Sequence, residues 1–404
     1  MSEIAVLSVC IVTGKKLAGR TWILRDKEIL QDLGFNVRIH GIDSDVPSLN
    51  FMRNIKSYIE ALRNCDIVIA WFAFPSTILL SKIMGLPVIA NAVGYEVAHY
   101  PEMEYGLPQV LIARPLITLA LKYSDDVIAI SRESLRWSYR WSRRKGFIIY
   151  EGIDFGRYDC NIVGGRILPE EPTILTISAL SILNTIRKDI PTLIKAVKEV
   201  TKKYPSIKAY IIGEKMDGYP LLKQMTQKLH INNNVIFTGK LSHEELLRLL
   251  CKADLFVMTS YQEGFPTVAC EASVAGIPVI VSNRPAMNEV FTDETAIIVK
   301  PRNPSELANA IIYALENKEE ALKKARKAQM IIKREYSTYV RKEKMRRFMR
   351  LFIKRLKNNT KSYYKYSIKH IALLLILLVI WWPLYIINIG IIKFKQEQLL
   401  RRML

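Results

Sequence analysis

Two glutamates, Glu263 and Glu271, bracket seven mostly small or apolar residues in EGFPTVACEASVAGIPVI, residues 263–280. A buried carboxylate is costly unless something pairs with it. Two in so short a stretch suit a ligand that offers hydroxyls; the alternative is that both lie on solvated faces. Tyr261 and Gln262 follow the apolar run DLFVMTS, which reads as a strand, so Glu263 stands in the loop at its carboxyl end. A helix starting near Thr267 puts Glu271 on its early turns, facing back toward the loop. The unpaired N–H groups of Thr267 and Val268 would then point into the same space, ready for a phosphate. A carboxylate accepts two hydrogen bonds from vicinal hydroxyls, each charge-assisted bond worth roughly 1.5–3 kcal/mol. The chemistry implied is hydroxyl binding beside a phosphate site.

The elements that must hold these residues alternate along the chain. Short apolar runs at Ile4–Thr13, Val37–His40, Ile67–Trp71, Val88–Ala92, Val127–Ile130 and Phe147–Tyr150 are separated by segments of helical period. A Gly- and Pro-bearing stretch, NIVGGRILPEEP, reads as a linker, and the alternation then restarts. The second set of strands is expected at Ile174–Ser178, Ala209–Gly213, Val235–Thr238, Leu255–Thr259, Val279–Ser282 and Ala296–Val299. SHEE at Ser242 reads as a helix-capping box. Strands alternating with helices imply βαβ units, so the fold class is α/β with two doubly wound, Rossmann-like domains and a cleft between them. Ligands in such sheets sit beyond the carboxyl ends of the strands. Glu263 stands at such an end.

The 404 residues carry a formal charge of +21, and much of it is local: residues 333–369 hold fourteen Lys or Arg against two Glu. VRKEKMRRFMRLFIKRLK places Met345, Phe348, Met349, Phe352, Ile353 and Leu356 at helical spacing opposite a basic face. That pattern predicts a basic amphipathic helix on a membrane surface over 336–366, or else a helix packed on the protein. Residues 371–392 are an uncharged apolar run long enough for one transmembrane segment, with a hairpin at Pro383 as the alternative. The basic residues abut this run without interleaved aromatics at stacking spacing, so no nucleic-acid partner is expected. Five scattered cysteines with no CxxC and no paired His argue against a zinc site and a disulfide framework. GKKLAGRT, Gly14–Thr21, nearly matches a P-loop, but Arg20 stands where its lysine belongs. It reads better as a turn whose Gly14 and Gly19 let the backbone approach a diphosphate.

Residues 263–280 resemble the E-x7-E motif of family-four retaining glycosyltransferases of the GT-B fold, in its EGFPxxxxEA variant. The resemblance covers most of residues 1–335, with GID at Gly152–Asp154 where the two domains meet. It continues through KDIPTLIKAV, IIGE, NVIFTGKLSHEEL and CKADLFVMTSYQEGFPTVACEASVAGIPVIVSN. It implies that Glu263 binds the donor-sugar hydroxyls at the catalytic centre and that Glu271 binds the nucleotide ribose. Lys188 matches the lysine that neutralises the departing diphosphate, and Gly264, Phe265, Thr267 and Val268 fall in the donor-binding segment. Where family members carry Gly-Arg, this chain has Ser178-Ala179, with Arg187 the candidate substitute. Gly19 is the nearest match to the usual Gly-Gly of the first domain. VGYEVAHYPEMEYG resembles a GGYD stretch of some members, with Glu96 in place of Asp.

The resemblance implies an acceptor-side domain at 1–160 and a nucleotide-sugar-binding domain at 161–335. It implies retention of anomeric configuration with no metal and no cofactor. The C-terminal features suggest a membrane location, with cytoplasmic catalytic domains and a lipid-linked glycan or glycolipid as acceptor. The alternative is a catalytically inactive, membrane-anchored protein of this fold that binds nucleotide sugar or scaffolds a glycan-assembly complex. The missing arginine points that way.

Overall fold

The computed structural model describes residues 6–42, 53–111, 113–166, 169–358 and 368–404, and of 368–385 the backbone alone. Among the described residues the chain forms two units, residues 1–152 with 339–392 and residues 153–338 with 393–404.

The first unit is built on strands β1 (Ser8–Gly14), β2 (Asn36–Ile42), β3 (Ile67–Trp71), β4 (Val88–Ala92), β5 (Asp126–Ala129) and β6 (Phe147–Ile148). They form one parallel sheet in the order β2-β1-β3-β4-β5-β6. The crossovers are α1 (Thr21–Asp32), α2 (Ile55–Leu62), α3 (Pro75–Ile83), α4 (Ala113–Tyr123) and α5 (Arg132–Ser142). β3 and β4 are buried along their whole length, as strands covered by helices on both faces must be.

The second unit repeats the plan with β7 (Thr173–Ile177), β8 (Lys208–Ile212), β9 (Val235–Gly239), β10 (Leu255–Met258), β11 (Val279–Ser282) and β12 (Ile297–Val299). Their order is β12-β11-β10-β7-β8-β9, again parallel. The helices are α6 (Ile182–Arg187), α7 (Ile190–Val200), α8 (Tyr219–Lys228), α9 (His243–Cys251), α10 (Thr267–Val274), α11 (Pro285–Asn288), α12 (Pro304–Glu316) and α13 (Lys318–Tyr336). The Ser242–Glu245 capping box opens α9 as expected. Chain direction across the sheet reverses between β7 and β10, which leaves a crevice at their carboxyl ends. Gly213, beyond β8, takes φ +149°, and a Cβ there would meet the Ser178 carbonyl oxygen at 2.2 Å. Only glycine fits.

Helix α14 (Thr338–Asn358) corrects the membrane-surface expectation over its described length. Met345, Phe348, Met349 and Phe352 are 0–3% exposed and join the core of the first unit with Ile23, Leu30, Ile69 and Ile128. Burying each of these side chains is worth about 1.5–3 kcal/mol. The apolar stripe is therefore spent on the protein. Arg341, one turn ahead of Met345, is buried too. Its Nε and Nη2 reach the two Asp26 carboxylate oxygens at 2.6 and 2.7 Å, and Trp71 donates to Asp26 at 2.9 Å. A buried guanidinium needs such a fork of acceptors. Residues 359–367 of the expected helix lie outside the described residues.

Helix α15 runs from Ile368 to Met403 without a break at Pro383, so the backbone forms no hairpin. Among the described residues no helix is long and apolar enough to cross a membrane, and the side chains of 368–385, within the expected span, lie outside them. The end of α15 packs within the second unit: Leu400 is fully buried, Leu404 lies against its core, and Lys195 donates to the Met403 carbonyl at 2.6 Å. This corrects the single-span topology, which would put a short tail across the membrane from that unit.

The cysteines also depart from expectation. Cys10 bonds Cys65 and Cys160 bonds Cys251, while Cys270 is free and buried. Sequence separations of 55 and 91 residues conceal both pairings. Cys65 lies two residues before β3, which is hydrogen-bonded to the strand carrying Cys10. Cys160 lies against the end of α9, where Cys251 stands.

Candidate active site

The crevice between β7 and β10 is where the chain gathers its charges. β10 ends at Met258, and the loop Thr259–Pro266 leads into α10. Glu263, in that loop, is largely buried. Its Oε2 accepts from Arg187 Nη1 at 2.6 Å, its Oε1 from Ser260 Oγ at 2.9 Å, and Lys188 Nζ stands 3.8 Å away. Burial alone would push this carboxyl up, but Arg187 and Lys188 outweigh it and hold Glu263 below the usual carboxylate range.

Lys188 follows α6 directly. Its ammonium donates to the Ile177 carbonyl at the end of β7 at 2.9 Å. Burial lowers its pKa from the ordinary lysine value; Glu263 opposes this, Arg187 adds to it, and Glu271 opposes it. Glu271, half-buried on α10, is therefore close enough to act on the same ammonium. The sequence brings Lys188, Glu263 and Glu271 into one place.

Arg187 stands beside Lys188 and reaches the Glu263 loop. It donates to Glu263, to the Gln262 carbonyl at 3.0 Å and to Asn184 Oδ1 at 3.3 Å, while its own carbonyl accepts from Tyr261 N–H. It ties the Glu263 loop to α6.

Other expected residues take different parts. Thr267 N–H is spent on the Phe265 carbonyl at 2.9 Å; the Val268 N–H makes no hydrogen bond among the described residues. Phe265 is a core anchor, 5% exposed with its ring against Tyr336, and Gly264 beside it is half-buried. Gly14 and Gly19 do not adopt positive φ, and Gly19 has open space over its Cα. Glu96, in the first unit, is 1% exposed and accepts from the N–H groups of Val93 and Gly94. These two bonds clasp its own loop. Among the described residues a metal-binding spacing occurs at Cys10, His40 and Cys65 of the first unit, with both sulfurs in a disulfide.

Sequence reasoning missed four residues. Tyr261 is flanked by Arg284 and Arg302, whose guanidinium carbons lie 3.8 and 4.3 Å from its ring centre, and Arg284 also donates to the Tyr261 carbonyl. Arg284 and Arg302 follow the carboxyl ends of β11 and β12, where the strand-end rule would have sent a search. Asp189 is the fourth. It holds left-handed backbone, φ 50°, between α6 and α7, is fully buried, and accepts from Arg302 N–H at 3.1 Å. Thr259 Oγ1 clasps the same corner by donating to the Lys188 and Asp189 carbonyls. Lys188 is thus aimed by a rigid bend.

Burial pushes the Asp189 carboxyl up to about 6, against Thr192 and Arg302, which pull it down. In the unfolded chain it titrates near the ordinary value of about 4. Between those two values the folded protein holds a proton that the unfolded chain has lost, so stability falls as pH rises through that window. Asp189→Asn keeps an acceptor for Arg302 and suits left-handed backbone. It is expected to raise stability above pH 6 by about 2–3 kcal/mol and to flatten this slope. Urea unfolding of both proteins across the window checks it.

Two parallel six-stranded, Rossmann-like sheets define the GT-B class. The fold is like that of Anabaena HepE in complex with UDP-glucose, with a TM-score of 0.70, 18% identity, and coverage of 85% of this chain and 99% of that one. Residues 166–330, within the second unit, match the family "Glycosyl transferases group 1". A putative teichuronic acid biosynthesis glycosyltransferase of Bacillus subtilis, TuaC, is 28% identical over 61% of this chain and 60% of its own length. The alpha-monoglucosyldiacylglycerol synthase of Streptococcus pneumoniae is 31% identical over 36% of this chain and 32% of its own. The chain spans 42–60% of the length of the first curated relatives it matches.

Proposed function

We propose that this protein is a retaining glycosyltransferase that moves a sugar from a nucleotide-sugar donor, without a metal, to a membrane-associated acceptor, a lipid-linked glycan or glycolipid. The observation that carries the reading is the grouping of Lys188, Arg187 and Glu263 at the β7–β10 crevice. A departing diphosphate needs fixed positive charge that does not have to reorganise. Lys188 supplies it, with the Val268 N–H at the start of α10 and the arginines beside Tyr261. Glu263 accepts hydrogen bonds from the sugar hydroxyls and orients the ring, while Glu271 takes the ribose. The acceptor hydroxyl attacks from the face that the diphosphate leaves. Support for a membrane-borne acceptor comes from the lipid-glycosylating relative. The two units act on the cytoplasmic side, where nucleotide sugars are made.

A panel of nucleotide sugars tested by thermal shift on the full chain addresses this directly. At least one donor should stabilise the protein by about 2–3 kcal/mol near 100-fold its Kd, and slow donor hydrolysis should accompany it. Stabilisation by none of them overturns the reading. Binding without hydrolysis or transfer favours the inactive alternative, for which Ser178-Ala179 is the specific support.

A further inference from the structure

Helix α5 in the first unit divides cleanly by face. Its inner side buries Glu133, Ser134, Trp137, Ser138 and Ser142. The Glu133 carboxylate accepts from Tyr100 Oη at 2.6 Å and Trp137 Nε1 at 2.9 Å, so the helix's own acid turns inward, with its second oxygen 3.9 Å from Arg136 Nε. Its outer side exposes Arg132, Arg136, Tyr139 and Arg140, and Arg143 follows at the C-cap. The spacing of these five is one continuous helical stripe. From Arg132 to Lys145 the chain has six basic residues and one acidic. Two open grooves of about 440 and 430 Å³ flank the stripe, and Arg136 and Tyr139 line both. Trp141 lines the first, its Nε1 held by the Val97 carbonyl at 2.6 Å.

We infer that this face of α5 is a docking surface for an anionic lipid bilayer, with headgroup phosphates seated between the arginines and the rings of Tyr139 and Trp141 at headgroup depth. The charge is one-sided, whereas a solvated helix face ordinarily mixes signs. Arginine forks match phosphate geometry, and Tyr and Trp favour the membrane–water interface. The Met345–Phe352 stripe of α14 is consumed by the core and is not left to face a membrane. The inference shares with the proposed function only the membrane-borne acceptor, and its test uses neither donor nor turnover, so either can fail alone.

The test is hydrogen exchange of the full chain, read on peptides covering residues 132–145. It is run with vesicles of phosphatidylcholine alone, with vesicles containing phosphatidylglycerol, and with soluble pyrophosphate. Exchange should slow several-fold only on the phosphatidylglycerol vesicles. The R136E/R140E/R143E variant should lose that protection, since each cation near an anionic surface is worth roughly fivefold in partitioning. Unchanged exchange in β10 and α10 shows that the variant is folded; if it is not, R136Q/R140Q should give a partial loss. Equal protection by both vesicle types, equal protection by pyrophosphate, or undiminished protection in the charge-reversed variant would each overturn the docking surface.

Discussion

Glu263→Gln is expected to lower turnover by at least 10²-fold while the second unit stays folded. In the proposed reaction the carboxylate oxygens of Glu263 accept from the sugar hydroxyls, and an amide halves that capacity. The carboxylate also has a structural part. It is the counter-charge for Arg187 at 2.6 Å and for Lys188 at 3.8 Å, with all three side chains 10–14% exposed. Removing one partner of such a buried group costs about 3–5 kcal/mol, so Glu263→Ala would mix unfolding with lost chemistry. The glutamine is the milder probe, and a second substitution separates the two effects. Arg187→Gln beside Glu263→Gln replaces the ion pair with neutral groups of similar shape and should recover most of the lost stability. Turnover should not return. If it does, Glu263 serves the loop alone and its assignment to the sugar is wrong. Glu271→Ala should instead weaken donor binding with little change in turnover, because ribose contacts are equal in ground and transition states.

Fold was legible where chemistry is local. All twelve strands fall where apolar runs alternate with helical segments, most sharply for β3 and β4, which are covered on both faces. The Glu263–Lys188–Glu271 group was legible through motif order and the strand-end rule together. What stayed hidden depends on partners distant in the chain. The stripe on α14 reads as membrane-facing first and core-facing second, and its packing against Ile23, Leu30, Ile69 and Ile128, far away in the chain, decides it. The same holds for Cys10 and Cys65, whose meeting follows from β1–β3 pairing rather than from any spacing. Asp189 escaped notice because a buried aspartate in left-handed backbone looks, in sequence, like an ordinary residue of KDIP. The cationic stripe of α5 emerges only once Glu133 is seen to turn inward.

Lys188→Ala is expected to cost a factor on the order of 10²–10³ in turnover, the usual result of removing a preorganised charge from a developing anion. Arg187→Ala should cost less in turnover and more in stability. The two neighbours differ in what already occupies them. Arg187 is engaged by Glu263, Gln262 and Asn184, so its guanidinium is committed to the loop. Lys188 holds one carbonyl and lies 3.8 Å from Glu263, which leaves donors for a phosphate. The pH dependence offers an independent check. Burial lowers the Lys188 pKa, so the charged form that the diphosphate needs is lost at a lower pH than for an exposed lysine. The pH profile of kcat/KM, which reports the free protein, should therefore fall along a basic limb that begins below the ordinary lysine range. Lys188→Arg, whose side chain stays charged, should retain partial activity and lose that limb. If Lys188→Ala turns over normally and Arg187→Ala does not, the charge that receives the diphosphate sits one residue earlier. The guanidinium would then have to release Glu263 each time a donor binds, and Arg187→Lys, unable to fork, should raise KM and lower kcat together.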